Sequence, residues 1–176
     1  EPLGPPGTIF SYSDTGYVLL GLIIEERSGM TLAEAYPRLL RFPQNGVLET
    51  WQESRRSDVR TARAHQYWRD LDTSLWRPTR DSYGGGGLLA TPRDMARFLR
   101  SLFSGGVLSR GSLDTMRTLV VTDHQGGYRA GLYSIEVNGL RGWGHTGFWS
   151  TFAFHFPEID ATIAGAFLQR EAPRPL

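Results

Sequence analysis

Thr151-Phe152-Ala153-Phe154-His155-Phe156-Pro157-Glu158-Ile159-Asp160-Ala161-Thr162-Ile163-Ala164-Gly165-Ala166-Phe167-Leu168 decides the fold. Its two halves are rich in aromatic and β-branched side chains, which fit a pleated surface, and Pro157 to Asp160 part them with turn-forming residues. So short a link returns the chain beside itself, so the two runs should pair antiparallel. Working upstream, Leu132, Ser134, Glu136 and Asn138 alternate with Tyr133, Ile135 and Val137, the period of another strand. Further upstream the spacing turns helical. Thr91-Pro92-Arg93-Asp94 starts a helix with Thr as cap, Pro at the first position and Asp in the first turn. Met95, Phe98, Leu99, Leu102 and Phe103 then recur on one face, Gly105-Gly106 ends it, and Ser109 caps a short helix reaching Leu119. Near the start, Val18, Leu19, Leu20, Leu22, Ile23 and Ile24 lie in a helix that ends at Ser28-Gly29. Being apolar almost all round, it is expected to be buried. Thr31-Leu32-Ala33-Glu34 has the form of a capping box, and Pro37 should shorten or kink the helix it opens. Helices first and an antiparallel meander afterwards give an α+β fold, an antiparallel sheet flanked by helices.

At 176 residues the chain is one domain or a large part of one. A net charge of +1 gives no pull toward nucleic acid or an anionic membrane. The absence of Cys removes disulfides, thiolate metal sites and cysteine nucleophiles. All 19 basic residues are Arg, so Schiff-base chemistry, a phosphate-loop Lys and a Ser-x-x-Lys pair cannot be built from these residues. No apolar run reaches the length of a membrane span; the longest, Tyr17 to Ile24, is followed by Glu25, Glu26 and Arg27. Glu1 to Gly7 read as a loop entered from upstream, and the sequence stops soon after an apolar segment, so the chain is expected to be a portion of a longer one.

Residues 43–82 are the least patterned. Arg55, Arg56, Arg60, Arg63 and Arg69 near Tyr67 and Trp68 could contact a nucleic acid, but the near-zero net charge favours a solvated loop or helix. Gly84-Gly85-Gly86-Gly87 is not a phosphate cradle, because Leu88-Leu89-Ala90 intervene before the next helix and no Lys follows. His65, His124, His145 and His155 lack metal-site spacing, and no Gly-x-Ser-x-Gly elbow supports a Ser-His-Asp triad.

Two segments carry chemistry when taken together. Pro6 to Glu25, containing Tyr12-Ser13-Asp14, resembles the Tyr-x-Asn region of the serine β-lactamase and penicillin-binding-protein-like superfamily, in its class C β-lactamase, D,D-carboxypeptidase and esterase branch. Ala64-His65-Gln66-Tyr67 and Gly84 to Phe98 resemble the middle of that family. His145-Thr146-Gly147 resembles its Lys-Thr-Gly box, in which His is a familiar variant. The likeness runs through nearly the whole chain in the family's order.

The resemblance implies a β-lactamase/transpeptidase-like fold, incomplete here and with part of a helical lobe. Residues 1–176 would be the C-terminal part of one domain, with about 43–82 as a loop or helical-lobe insertion and 128–169 as antiparallel strands. It implies a serine hydrolase that acts through an acyl-enzyme on an ester, amide or β-lactam bond. The nucleophile belongs to a Ser-x-x-Lys segment N-terminal to Tyr12, so a complete site would need that part. Tyr12 would pass the nucleophile's proton to the leaving group. His145 would bring charge or a hydrogen bond toward a substrate carboxylate, and Thr146 a hydroxyl. Gly147 would admit the substrate backbone, and the Phe148 N–H would serve an oxyanion hole. Asp14 stands where Asn is usual and can only accept. Trp143, Phe148 and Trp149 would wall the pocket. Small-molecule or peptide substrates and a periplasmic or extracellular setting follow from the same likeness; no cofactor is expected, and the histidine spacing and net charge above argue against a metal and a nucleic-acid partner. The alternative is a non-catalytic relative that binds peptidoglycan peptides or a protein partner.

Overall fold

The computed structural model describes residues 3–5, 7–53, 63–74, 76, 83–118 and 128–172. Arg55, Arg56, Arg60, His124 and Leu119 lie outside these residues. Asp14–Ser28 forms α1, and Gly29 ends it in the left-handed region at φ 67°, its N–H donating to the Glu25 carbonyl. The helix is not buried as its composition suggested. Leu19, Leu20, Leu22 and Ile23 are each more than half exposed, and Gly21 is its buried residue. A helix that is apolar all round needs neighbours on every side, and the described residues cover one line of it. A Cβ on Gly21 would stand 3.1 Å from both Leu32 and Tyr83.

Leu32–Leu39 forms α2, which contains Pro37 and stops after two turns. The Glu34 carboxylate accepts from the Thr31 N–H at 2.9 Å and from the Thr31 hydroxyl at 2.8 Å, the acidic half of the expected box. A short 3-10 turn, Pro43–Asn45, leads to β1, Thr50–Gln52. Then β2, Tyr67–Trp68, and β3, Leu71–Asp72, make a small hairpin. The Gly run has a packing use. Gly84, at φ +72°, lies so close to α1 that a Cβ would stand 2.3 Å from the Tyr17 carbonyl oxygen. Directly after it, β4, Leu88–Ala90, pairs antiparallel with β1.

Pro92–Phe103 forms α3, capped as expected by the Thr91 hydroxyl, which accepts from the Asp94 N–H at 3.2 Å. The Asp94 carboxylate is buried and accepts from the Glu49 N–H at 2.5 Å and the Thr50 hydroxyl at 3.1 Å, tying the start of β1 to the helix. Ser109 caps α4, Arg110–Met116, which stops short of the expected Leu119.

Four strands follow: β5 (Tyr133–Val137), β6 (Leu140–Thr146), β7 (Thr151–Phe156) and β8 (Ala161–Ala166). They form an antiparallel meander in sequence order, with Trp143 opposite His155 and Phe154 opposite Ile163. Leu99, Leu102 and Leu113 form the core between α3, α4 and the sheet, with Ala153 packed against them. His155 is buried there. Its ring stacks on Phe103 at 4.9 Å and its Nδ1 meets the Thr162 hydroxyl at 2.8 Å, so it serves packing.

Candidate active site

Tyr12 stands in extended chain two residues before α1, and Asp14 is the first residue of that helix. His145 and Thr146 are the last two residues of β6. The fold brings these distant segments together. The Tyr12 and His145 rings lie 6.1 Å apart between centroids. Tyr128 joins them, 5.6 Å from Tyr12 and 5.7 Å from His145, and Tyr133 lies 4.9 Å from His145. The Tyr17 hydroxyl, from α1, is hydrogen-bonded to the Tyr128 hydroxyl. An open hollow of about 280 Å³, lined by Ile9, Phe10, Ser11, Tyr128 and Arg129, adjoins this group.

The His145 Nδ1 lies 2.5 Å from the Thr146 carbonyl oxygen. A carbonyl can only accept, so Nδ1 carries the proton and a neutral ring presents Nε2 as an acceptor. Burial lowers the His145 pKa, against a smaller upward effect of the Thr146 bond. Burial raises the Tyr12 pKa, and Asp14, Tyr17 and Tyr133 push the same way. Tyr128 is raised too, by burial and by the Tyr17 hydrogen bond. At neutral pH the His145 imidazole is therefore uncharged beside the protonated phenols of Tyr12 and Tyr128.

The turn after β6 is closed by the Gly147 N–H donating to the Thr151 carbonyl at 2.8 Å. A Cβ on Gly147 would stand 2.1 Å from the Thr151 hydroxyl, so a side chain here would displace that hydroxyl or the turn. No acceptor for the Phe148 N–H is found among the described residues. That N–H lies two residues beyond Thr146 in the chain.

The three aromatic residues expected to wall one pocket divide between two places. Trp143 packs against the Arg129 and Arg117 guanidinium groups, at 5.3 and 5.8 Å. Phe148 and Trp149 join Trp68 and Trp76 instead. Tyr17, Tyr128 and Tyr133 were missed in the sequence. The available signal was Tyr128 and Tyr133 bracketing Arg129-Ala130-Gly131-Leu132 just ahead of the strand that pairs with His145's own.

His65, Asp72 and Ser74 meet near β3 but form no relay. Asp72 lies 2.6 Å and Ser74 3.3 Å from the same His65 nitrogen, Nδ1, whereas a relay uses both ring nitrogens. Hydrogen bonds from Ser74 and His65 hold the Asp72 pKa at about 2. Among the described residues no group of three or more acids and histidines could hold a metal, and no helix is long and apolar enough to cross a membrane.

The family model described as Beta-lactamase matches residues 1–174. Among solved structures, a D-stereospecific amidohydrolase from Streptomyces sp. is 27% identical with a TM-score of 0.84, over 97% of this chain and 53% of that one. A penicillin binding protein from Bacillus halodurans is 22% identical with a TM-score of 0.79, over 94% and 54%. A D-amino acid amidase from Ochrobactrum anthropi SV3 is 22% identical with a TM-score of 0.77, over 96% and 53%. The chain thus spans about half the length of these proteins. The fold is β-lactamase/transpeptidase-like and partial, and by the family match over nearly its whole length the chain belongs to the Beta-lactamase family.

Proposed function

We propose that this chain is part of a serine hydrolase that works through an acyl-enzyme on an amide, ester or β-lactam bond. In this reading it supplies the Tyr and His-Thr-Gly elements and not the nucleophile. The observation that carries the reading is the meeting of Tyr12 with His145, rings 6.1 Å apart, at the end of β6. An amidohydrolase, an amidase and a penicillin binding protein among the similar structures favour a carbonyl substrate with an amide-type bond.

In this reading the residues take the following roles. Tyr12 receives the proton of the attacking serine and passes it to the leaving group. Its raised pKa means that a cation must accompany the nucleophile before the phenol can accept a proton at neutral pH. With no Lys in these 176 residues, a Ser-x-x-Lys segment that brings both groups must lie outside them. His145, neutral, offers the Nε2 lone pair to a hydroxyl or ammonium group, and the Thr146 hydroxyl orients the substrate. Gly147 lets the substrate backbone approach, and the Phe148 N–H stabilises the oxyanion. Asp14 adds negative charge at the mouth, which disfavours an anionic substrate. A periplasmic or extracellular setting belongs to the same proposal.

The test is to treat the protein that carries this chain with a fluorophosphonate and a fluorescent penicillin, and to assay amide hydrolysis by ammonia release. Covalent labelling together with turnover is expected. A folded protein that takes neither label and cleaves no amide or ester overturns the reading in favour of a non-catalytic binder.

A further inference from the structure

Four rings close a circuit beside the candidate site. Trp68 meets Trp76 at 6.1 Å, Trp76 meets Trp149 at 6.3 Å, Trp149 meets Phe148 at 5.1 Å, and Phe148 returns to Trp68 at 6.3 Å. Every contact is edge-to-face, with interplanar angles of 63° to 89°. The Arg170 guanidinium lies over two of the rings, 4.1 Å from Phe148 and 5.4 Å from Trp68. The scaffold beneath is fixed by hydrogen bonds. The Arg170 N–H donates to the Tyr67 carbonyl at 2.9 Å, the Ser150 hydroxyl donates to the Arg170 carbonyl at 2.5 Å, and the Gln66 amide donates to the Trp149 carbonyl at 3.1 Å.

A ring cluster that only anchored the β2–β3 hairpin would bury its rings. Here Trp68, Trp76 and Phe148 remain 36%, 47% and 55% exposed, while the backbone bonds already hold the hairpin in place. Two of the rings, Phe148 and Trp149, directly follow Gly147, so the open faces begin where the candidate oxyanion donor sits. Flat aromatic faces together with a planar guanidinium favour a flat apolar guest over a small aliphatic one.

We propose that Trp68, Trp76, Phe148, Trp149 and Arg170 form a subsite that selects an aryl group, benzyl or indolylmethyl, on the acyl side of the substrate. The proposal rests on the hydrolase reading for its position beside the reacting carbonyl, but the subsite itself can be tested without turnover.

Two measurements on the protein that carries this chain test it. The first compares kcat/KM for alaninamide, phenylalaninamide and tryptophanamide, each as both enantiomers. The aryl substrates should be preferred by about tenfold or more, and Trp68→Leu and Trp76→Leu should bring the aryl-to-methyl ratio down to about threefold or less, mainly through KM. The second follows tryptophan fluorescence on titration with phenylacetamide and with acetamide. Phenylacetamide alone should give a saturable change, and Trp68→Leu should weaken it. An absence of aryl preference in both measurements, or variants that lower methyl and aryl substrates equally while the phenylacetamide response persists, would overturn the subsite. A protein that binds phenylacetamide through Trp68 but cleaves nothing and takes no fluorophosphonate would keep the subsite and overturn the hydrolase reading.

Discussion

The His145 Nδ1 is held 2.5 Å from the carbonyl oxygen of Thr146, the next residue in its strand. That bond leaves Nδ1 protonated and Nε2 an acceptor in a ring packed near Tyr12, Tyr128 and Tyr133, while burial, which outweighs the upward effect of the bond, costs His145 any standing as a permanent cation. A Lys at this position would hold its charge; a buried His does not.

The first prediction concerns pH. His145 and His155 both have pKa values lowered, chiefly by burial. A folded-state pKa below the unfolded value of about 6.5 means that the unfolded chain takes up protons first as pH falls. The associated stability is fully present above about pH 6.5 and is lost as pH drops through the lowered folded values. The melting midpoint should therefore fall between pH 7.5 and pH 5. His145→Gln, which cannot protonate, should make that fall shallower. An unchanged slope in the variant would show that His145 is free to charge in the folded state.

A second prediction isolates one oxygen atom. Tyr12→Phe keeps the ring and its contacts to Tyr128 and His145, at 5.6 and 6.1 Å, and removes only the hydroxyl. In the protein that carries this chain, kcat should fall by about 10²- to 10⁴-fold, the usual contribution of a general acid–base group, with the melting midpoint nearly unchanged. A loss under about threefold would make Tyr12 a packing aromatic, since it would lie far below that range.

Much of this arrangement could be read in the sequence, for identifiable reasons. Pro157 to Asp160 left the chain room only to turn back, and β7 and β8 pair on either side of it. Thr91-Pro92-Arg93-Asp94 carried its cap in four consecutive residues, and α3 begins there. Both are local signals. What was hidden was long-range. The apolar residues of α1 announced burial, but burial depends on neighbours, and the described residues cover little beyond Gly21. The Gly84 run gave no hint that it lies against the Tyr17 carbonyl. Tyr128 has no motif of its own; it matters because α1, the chain before β5 and the end of β6 converge on it. The separation of Trp143 from Phe148 and Trp149 was equally invisible, because it depends on where Arg117, Arg129 and the β2–β3 hairpin come to rest.

The exposed side of α1 leads to a third prediction. Leu19, Leu20, Leu22 and Ile23 are 51% to 56% exposed, a contiguous apolar surface of the kind that drives association or dye binding. Residues 1–176 expressed alone should bind a hydrophobic fluorescent dye and self-associate. The change Leu20→Gln with Ile23→Gln should reduce both effects without shortening α1. A soluble monomer that melts sharply and binds no dye would mean that this surface is covered by some other arrangement of the chain.

A fourth prediction tests the tight turn before the candidate oxyanion donor. Gly147→Ala places a methyl group 2.1 Å from the Thr151 hydroxyl oxygen, inside any real contact distance, so either that hydroxyl or the turn must move, and a shift of the turn carries the Phe148 N–H with it. Oxyanion donors act only when aimed, and removing one typically costs about 10²- to 10³-fold in kcat. The single variant should therefore lose activity on that scale while substrate binding through the side-chain subsite is largely kept. The next Thr151 atoms lie at 3.5 Å and 3.9 Å from the new methyl, which is ordinary contact, so the obstruction is the hydroxyl oxygen alone. The double variant Gly147→Ala with Thr151→Ala removes that oxygen and should regain most of the lost kcat, although it carries one more substitution. Rescue of kcat by a second change outside the reacting groups would trace the defect to the aim of the Phe148 N–H. A double variant no better than the single one would show that clearance from the Thr151 hydroxyl is not what Gly147 supplies.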